Sequence, residues 1–483
     1  MLRLPWVGHQ PQVRRRGKWD VTHLCKSMAS ILDLIGNTPM LQARRLETGR
    51  ASLFLKLENQ NPGGSIKDRI ALSMIEAAEQ EKRIEPGSLI IEATAGNTGL
   101  GLALVAAQKG YRLLIVVPDK MSQEKIFHLK ALGAEVLLTR SDVTKGHPEY
   151  YQDKAARVAR ETPGAFYVNQ FANEANPWAH EHTTGPEIWE QLAHQVDAVV
   201  CGVGTGGTLT GLSRYFAKVS PQTEIVLADP AGSILAPLMN TGKAPPQVGS
   251  WLVEGIGEDF VPAVCDLSRV RKAYSIPDRE ALLTCRELLR KEGVMAGTST
   301  GTLVAAALRY CREQREPKRV VTLVCDSGNK YLSKVYNDFW MLDQGFIERE
   351  RYGDLRDLIS RRHHDHAVAT VSADEKVLNA YQRMKLYDVS QLPVLTQGGR
   401  IVGIVDEEDI LAEVYDNPEH FNEPVTAAME THVVTVGPTA SITELMDVFK
   451  RGMVAIVVDG DEFLGLITRI DLLNWLRRRS VEK

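Results

Sequence analysis

The 483-residue chain has few of the features that mark membrane, nucleic-acid-binding or disulfide-stabilised proteins. It contains no run of about 18 apolar residues, so the sequence predicts no membrane-spanning helix. A formal net charge of −4 argues against nucleic-acid binding, because nucleic-acid-binding domains are usually basic. The six cysteines form no C-x-x-C pair and no metal-ligand spacing, which indicates reduced thiols. These absences favour a cytoplasmic enzyme.

The composition is that of an ordered globular protein. Apolar residues make up 44% of the chain and charged residues 24%, close to globular averages. At this length one hydrophobic core is not enough, so the sequence predicts two or three domains.

A lysine at a predicted helix start is the most informative feature. Lys67 follows a paired-glycine turn at Gly63 and Gly64, and Ser65 is predicted to cap the helix after the turn. An amine held in this way and partly desolvated has a lowered pKa and can form an imine. A solvated surface lysine is the alternative, and the residue alone does not decide between them.

Two other segments run from an apolar strand through a glycine-rich turn into a helix. They are Ile90–Gly99 and Val199–Thr208. Such loops leave backbone N–H groups free at the positive end of a helix, as anion binding requires. Tight turns also need glycine without any ligand, but the lysine and the two loops together favour a site for an anionic ligand, with Gly204–Thr208 as the better phosphate loop.

Short apolar strands alternate with helical stretches between residues 30 and 346. Examples of strands are Leu113–Val117, Ala198–Cys201 and Val320–Val324, and Arg279–Lys291 is a predicted helix. This alternation predicts an α/β fold with parallel-type sheets, in which ligands gather at the carboxyl ends of strands.

Five segments together resemble the pyridoxal-phosphate enzymes of the cysteine synthase/cystathionine β-synthase family. They are Asn61–Arg69, Thr94–Gly99, Gly204–Thr208, Asp326–Ser327 and Trp340–Phe346. The resemblance implies the type II fold of this family, two α/β subdomains with the cofactor in the cleft. Three further segments favour the cystathionine branch: Lys120–Lys125, Asp229–Ala236 and Glu254–Phe260.

The resemblance also implies roles for individual residues. Lys67 would bind pyridoxal phosphate covalently and act as the catalytic base, Asn97 would contact its 3-hydroxyl, and Ser327 would face its pyridine nitrogen. The phosphate would be held by Gly204, Thr205, Gly206, Gly207 and Thr208. The substrate carboxylate would be bound by Thr94, Ala95, Gly96, Asn97, Thr98 and Gln170.

The implied reaction is a β-replacement that condenses L-serine with L-homocysteine to cystathionine, catalysed by a homodimer or higher homo-oligomer. A cysteine synthase that uses O-acetylserine and sulfide is the alternative. Two residues depart from the family pattern: Ala95 stands where serine is usual, and Glu258 stands where animal relatives carry tyrosine. Losing one hydroxyl removes about 0.5–1.5 kcal/mol of binding, which alters affinity and not the class of reaction. An acidic side chain could favour the amino group of homocysteine.

The region after residue 346 contains an internal repeat. Val368–Val371 aligns with Val433–Val436, and Gly403–Asp409 aligns with Gly465–Asp471. Each copy reads strand, helix, strand, strand, helix and is too small to bury its apolar face alone, so the two copies should pack together. They resemble a tandem pair of CBS domains.

That second resemblance implies an adenosine ligand such as S-adenosylmethionine, AMP or ATP. In the second copy Thr468 would meet phosphate and Asp471 ribose, and Asp409 is the counterpart of Asp471 in the first copy. Asp406 stands at the threonine position of the first copy, where a carboxylate would repel phosphate and favour a cationic ligand.

The predicted organisation is an N-terminal extension (1–29), a catalytic domain (30–346), a linker (347–352) and two CBS domains (353–415 and 416–483). Three interpretations of the extension remain open. It is a basic tail, or translation starts at Met28 and residues 1–27 are not made. Alternatively, it is a targeting peptide, or it is a haem site that uses Cys25 with His23 or His9. No haem motif matches, so no haem is predicted. His363–His366 are spaced too tightly for a helical ligand pair, and no metal is predicted.

Overall fold

The computed structural model describes residues 28–94, 96–119, 121 and 123–481. They form two compact units, one of residues 28–275 and 306–327 and one of residues 276–305 and 328–481. No helix of the described residues is long and apolar enough to cross a membrane.

The first ten strands run from residue 40 to residue 323. They are β1 (Met40–Ala43), β2 (Ser52–Lys56), β3 (Leu89–Ala93), β4 (Arg112–Pro118), β5 (Glu135–Thr139), β6 (Phe166–Tyr167), β7 (Ala198–Cys201), β8 (Glu224–Pro230), β9 (Val270–Ile276) and β10 (Arg319–Leu323).

The helices of the same stretch are α1 (Lys67–Gln80), α2 (Asn97–Lys109), α3 (Gln123–Ala131), α4 (Tyr151–Glu161), α5 (Ala175–Ala179), α6 (Gly185–Gln191), α7 (Gly207–Val219), α8 (Leu235–Thr241), α9 (Asp278–Glu292) and α10 (Thr298–Arg312). A single π-helical turn, His180–Thr184, separates α5 from α6.

Two sheets organise the first unit. A six-stranded sheet has the order β1-β2-β10-β7-β8-β9, in which β2, β10, β7 and β8 are parallel and β1 is antiparallel. A four-stranded sheet has the order β5-β4-β3-β6 and is parallel throughout. The middle strands are almost continuously apolar and buried, as parallel strands covered on both faces must be. The predicted α/β fold is confirmed.

Helices α1 and α2 fill much of the core beside the four-stranded sheet. Ile70, Met74 and Ile75 of α1 pack with Leu100 and Leu102 of α2. The two helices approach so closely at Gly101 that a Cβ there would lie 3.0 Å from the carbonyl oxygen of Lys67. This packing holds the start of α1 in place.

The second unit contains α9, the start of α10, α11 (Asp338–Asp343) and two copies of one small motif. The first copy is β11 (Val371–Ser372), α12 (Val377–Tyr387), β12 (Gln391–Leu395), β13 (Ile401–Asp406) and α13 (Glu407–Val414). The second copy is β14 (Thr435–Val436), α14 (Ile442–Lys450), β15 (Ala455–Asp459), β16 (Glu462–Ile467) and α15 (Arg469–Val481). Their sheets have the corresponding orders β11-β12-β13 and β14-β15-β16. The predicted repeat is confirmed.

The first strand of each copy includes only part of the segments that align between the repeats. Val368 and Val433 lie outside β11 and β14, and both pack against a cluster of Leu395, Ile456 and Phe463. This cluster contains residues of both copies, so these two valines contribute to the packing between the repeats and not to the ladders.

Candidate active site

The predicted imine-forming lysine is the first residue of α1. Ile66 occupies the position before the helix, so the prediction that Ser65 is the cap is wrong by one position. Ser65 instead forms a β-bridge with Asp326, and its hydroxyl still accepts a hydrogen bond from the Lys67 N–H at 3.2 Å. The bridge connects Ser65 to the segment that follows β10.

The surroundings of Lys67 favour a neutral amine. Desolvation by burial lowers the pKa of Lys67 below its usual range, and the nearby Cys325 and Asp326 oppose this only in part. A neutral amine is the form that attacks a carbonyl group and accepts a proton.

The predicted phosphate loop connects β7 to the N-terminus of α7. Gly206 has φ +85°, a conformation that favours glycine, and a Cβ on Gly207 would lie 1.9 Å from Asn176 Oδ1. The first N–H groups of a helix have no partner within the helix and point toward its positive end. The loop is therefore built of glycine because its backbone turns sharply against neighbouring atoms while it presents these groups.

Two buried side chains that the sequence analysis missed support this loop. Asn176 Nδ2 donates to Thr205 Oγ1 at 2.9 Å, and His180 Nε2 lies 3.1 Å from Thr208 Oγ1. Burial lowers the pKa of His180 well below its usual value, with smaller contributions from Lys67 and Arg69. His180 begins the π-helical turn, and such turns are frequent at functional sites. No pattern in the sequence identifies this turn.

The loop before α2 brings together several predicted substrate-binding residues. Thr98 Oγ1 donates to Gln170 Oε1 at 2.6 Å, and the Gly96 N–H donates to Thr94 Oγ1 at 3.1 Å. A Cβ on Gly96 would meet no atom within 4 Å, so open space lies beside this glycine. Ala95, predicted to belong to the same loop, is outside the described residues.

Asn97 and Ser327 lie on segments joined through Asp326. Asn97 Nδ2 donates to Asp326 Oδ2 at 2.8 Å, and the Ser327 N–H donates to the Gly64 carbonyl oxygen at 3.1 Å. The segment after β10 is thus connected to α2 on one side and to the turn before Lys67 on the other. The side chains predicted to surround the cofactor ring come from segments that contact one another.

Comparison with known proteins identifies the family in which this arrangement occurs. The family described as pyridoxal-phosphate dependent enzyme matches residues 31–326, and the CBS domain matches residues 355–416 and 425–478. The chain is similar to the cystathionine beta-synthase of Dictyostelium discoideum, with 35% identity over 93% of each chain. It is 34% identical to that of Saccharomyces cerevisiae, over 93% of this chain and 98% of the relative.

The chain belongs to the cystathionine β-synthase family of pyridoxal-phosphate-dependent enzymes.

Solved structures with the same fold match the catalytic part of this family member. A hydrogen sulfide-producing enzyme from Fusobacterium nucleatum has 39% identity and a TM-score of 0.59, covering 63% of this chain and all of its own. An O-ureido-L-serine synthase has 33% identity and a TM-score of 0.60, covering 67% of this chain and 98% of its own.

The residues present fit the cofactor of the family. The Lys67 amine, whose pKa is lowered, can receive its aldehyde, and the N-terminus of α7 with its glycine loop can receive its phosphate. Open space lies beside Gly96 in the loop before α2. Within the described residues no cluster of three or more His, Cys, Asp or Glu side chains could hold a metal ion. Cys25, His23 and His9, named as haem candidates, lie outside those residues, as do Lys120 and Ser122.

The predicted nucleotide residues of the CBS pair also cap helices. Thr468 Oγ1 donates to Asp471 Oδ2 at 2.5 Å where α15 begins, and Asp471 also accepts a short hydrogen bond from Ser360. In the first repeat Asp406 and Asp409 form a reciprocal capping box at the start of α13, with both hydrogen bonds 2.9 Å long. The residues predicted to bind a nucleotide therefore also stabilise the start of a helix in each repeat.

Proposed function

We propose that this chain catalyses β-replacement, joining L-serine and L-homocysteine to give cystathionine and water. The observation that carries the proposal is the Lys67 amine, whose pKa is lowered, in the same compact unit as the glycine loop of α7. The chain matches a cystathionine beta-synthase over 93% of its length. The C–O bond of serine breaks, its oxygen leaves as water, and a C–S bond forms at the same carbon.

Pyridoxal phosphate, when bound, stores the electron pair released from the substrate Cα. Lys67 Nζ takes the Cα proton, for which an unprotonated amine is required, and then carries a proton to the leaving β-oxygen. The lowered pKa of Lys67 supports this role because it favours the unprotonated amine.

The loop before α2 orients the substrate. Backbone N–H groups of Gly96 to Thr98, the Thr94 hydroxyl and the Gln170 amide are proposed to hold the serine carboxylate, together with Ala95. Gln170 Oε1 accepts from Thr98 Oγ1, and the Gln170 NH₂ group, which also interacts with the buried Glu92 carboxyl, is the donor proposed for the substrate carboxylate. Holding the carboxylate fixes which substituent of Cα faces Lys67 Nζ.

Two side chains adjust the cofactor. Asn97 is proposed to donate to its 3-hydroxyl, and Ser327 to face its pyridine nitrogen. A hydroxyl group, unlike a carboxylate, does not force protonation of that nitrogen. The weaker electron sink favours elimination of the β-substituent over transamination.

The CBS pair is proposed to regulate the enzyme by binding an adenosine compound. CBS domains commonly bind such ligands, and Thr468, Asp471 and Asp409 occupy the corresponding positions of the two repeats. S-adenosylmethionine, AMP and ATP are the ligands to compare. We also propose that the enzyme is a cytoplasmic homodimer or higher homo-oligomer.

One assay tests the reaction directly. Purified protein should form cystathionine from serine and homocysteine faster than it forms cysteine from O-acetylserine and sulfide. The matched solved structures include a hydrogen sulfide-producing enzyme and an O-ureido-L-serine synthase, so both donors and both acceptors should be crossed. A clear preference for O-acetylserine with sulfide would replace the proposed function by that of a cysteine synthase.

A further inference from the structure

The loop Glu254–Glu258 lies against the phosphate loop. The Gly257 N–H donates to the carbonyl oxygen of Val203 at 2.8 Å, and a Cβ on Gly204 would lie 2.5 Å from the carbonyl oxygen of Gly255. Gly255 and Gly257 both have positive φ, 86° and 90°. Glu258 therefore follows directly after a loop shaped to fit beside the residues proposed to hold the cofactor phosphate.

The backbone of Glu258 is fixed by the segment that follows β8. Its N–H donates to Ser233 Oγ at 3.1 Å, and its carbonyl oxygen accepts from the Ile234 N–H at 3.0 Å. In the parallel pairing of β7 with β8, Cys201 is opposite Leu227. Asp229, two residues beyond Leu227, therefore lies at the same carboxyl edge as the phosphate loop, beside Glu258.

The two glutamates of this loop have different surroundings. Glu254 forms a short ion pair with Lys125. Glu258 accepts no hydrogen bond and forms no ion pair on its side chain among residues 28–94, 96–119, 121 and 123–481. Among the described residues, the titratable groups that interact electrostatically with Glu258 are acidic or neutral: Asp229, Asp259, Tyr150, Tyr151 and Cys265.

The surroundings of Glu258 and Asp229 disfavour a negative charge on either carboxyl group. Burial, then Asp259 and Asp229, raise the pKa of Glu258 to about 8. Burial raises the pKa of Asp229 to about 6, and its Oδ1 atom is buried without a partner among the described residues. A cation arriving here would stabilise the ionised form of Glu258 and release its proton.

The groups of serine that are already bound in the proposed reaction indicate which cation this is. In the proposed reaction the serine amine is committed to the cofactor and the serine carboxylate to the loop before α2. The remaining ammonium group is the one that the second substrate carries, and sulfide has none. Homocysteine is thus distinguished from sulfide by a group that suits an unpaired carboxylate.

We propose that Glu258 determines the choice of second substrate by binding the ammonium group of an amino-acid thiol. This inference rests on the proposed β-replacement function. It gives a role to the position at which the chain departs from the tyrosine of its animal relatives.

The test compares three acceptors with serine as the donor: homocysteine, 4-mercaptobutanoate, which is homocysteine without its amine, and sulfide. In the variant Glu258→Gln the KM for homocysteine should rise about tenfold, with kcat and the kcat/KM of the other two acceptors within twofold of wild type. Glu258→Asp should recover part of the loss. Asp259→Asn, which removes an exposed neighbouring acid, should keep the preference for homocysteine and shift its rise to lower pH, because Asp259 raises the pKa of Glu258.

The pH dependence gives a second signature. The ratio of kcat/KM for homocysteine to that for 4-mercaptobutanoate should rise with pH through about 8 in wild type, because Glu258 must lose its proton to bind the ammonium group. The ammonium group of homocysteine also lowers the pKa of its own thiol, so the same ratio measured in Glu258→Gln is the baseline. The rise in wild type should exceed this baseline.

A binding measurement supplements the kinetics. Titration calorimetry of the cofactor-loaded wild type with homocysteine, in two buffers of different ionisation enthalpy, should show more proton release at pH 7 than titration with 4-mercaptobutanoate. This excess should be smaller in Glu258→Gln, because any reaction of the homocysteine amine with the cofactor is common to both enzymes and only the proton released by Glu258 is lost.

The outcomes separate the two hypotheses. If Glu258→Gln lowers the activity with all three acceptors equally, or leaves the KM for homocysteine unchanged while wild type makes cystathionine, the role of Glu258 is overturned. If wild type makes no cystathionine from serine and homocysteine, the proposed function itself fails.

Discussion

His180 Nε2 lies 3.1 Å from Thr208 Oγ1, at the first turn of the helix that follows the phosphate loop. The other ring nitrogen, Nδ1, lies 2.9 Å from Thr184 Oγ1. Because its pKa is lowered, His180 is neutral and has one donor and one acceptor. A Thr208 hydroxyl that donates to phosphate needs His180 to donate from Nε2, and Nδ1 must then accept from Thr184.

This chain of hydrogen bonds predicts a role for His180 in cofactor affinity. His180→Phe, similar in shape but unable to hydrogen-bond, should weaken cofactor binding about tenfold, corresponding to one lost hydrogen bond in a buried site. Equilibrium dialysis of the apoenzyme with pyridoxal phosphate measures the effect. His182→Ala, at an exposed histidine two residues along, is the control. Equal affinities of wild type and His180→Phe would exclude the role.

Lys67 is predicted to be indispensable for turnover. Lys67→Ala should abolish cystathionine formation and the borohydride-stable attachment of the cofactor, because Lys67 is the amine proposed to form the imine, while the glycine loop retains some cofactor noncovalently. Steady-state assays and mass spectrometry after reduction measure the two effects. Lys130→Ala, at an exposed lysine, should change neither. Full activity of Lys67→Ala would remove the basis of the catalytic assignment.

The phosphate loop is predicted to tolerate no side chain at Gly206. Its φ is +85° and a Cβ there would lie 2.4 Å from the Cβ of Cys265, so Gly206→Val should lower cofactor affinity at least about tenfold. The same substitution at Gly207 should act through its contact with Asn176. Gly242, with φ +74° and no atom within 4 Å of a Cβ, provides the control Gly242→Val. An unchanged dissociation constant at Gly206 would place the phosphate elsewhere.

Acid should destabilise the first unit through Glu187. This carboxylate pairs with Arg69 at 2.7 Å and with Lys56 at 2.6 Å. Although burial opposes ionisation, these cations lower the pKa of Glu187 from 4.5 to about 2. Each pKa unit corresponds to about 1.4 kcal/mol, so the contribution to stability is on the order of 3 kcal/mol. It is fully present above pH 4.5 and is lost as the pH falls toward 2.

Urea unfolding at several pH values measures this loss. Glu187→Gln should reduce the slope of the free energy of unfolding against pH between pH 4.5 and 3. It should also lower the free energy of unfolding at pH 7, because Lys56 and Arg69 lose a charged partner. Asp142→Asn, which breaks the exposed pair with Arg140, should leave both nearly unchanged. A slope that persists in Glu187→Gln would assign the acid sensitivity to other groups.

Regulation by adenosine compounds is predicted to depend on the CBS pair. Removing the chain after about residue 350 should leave an active enzyme whose rate no longer responds to S-adenosylmethionine, AMP or ATP. The coupling in the full-length protein should amount to about 1–3 kcal/mol. Calorimetry with each compound measures the binding.

A matched pair of variants separates ligand binding from helix capping. Asp471→Ala removes both the proposed ribose contact and a cap of α15, whereas Ser441→Ala removes only the capping box of α14 in the same repeat. Only Asp471→Ala should weaken binding. If no compound binds below millimolar concentrations and Asp471→Ala changes nothing, the pair has a purely structural role.

The sequence predicted those parts of the fold that depend on neighbours along the chain. β7 begins and ends as predicted, because a short apolar run bounded by polar and glycine residues is a sufficient signal for a buried strand. Ser65 was assigned wrongly as a cap because its conformation depends on Asp326, which is distant in sequence. Asn176 and His180 were missed for a related reason, since their roles arise from contacts with Thr205 and Thr208.

Asn176 belongs to two subsites at the same time. Its single NH₂ group donates to the carbonyl oxygen of Gln170 and to the hydroxyl of Thr205, both at 2.9 Å. One planar amide group therefore contacts both the turn that contains Gln170, proposed to bind serine, and the loop that contains Thr205, proposed to bind phosphate. If either the Gln170 turn or the Thr205 loop moves, Asn176 transmits the movement to the other. A change at Asn176 should therefore alter both the affinity for the cofactor and the KM for serine.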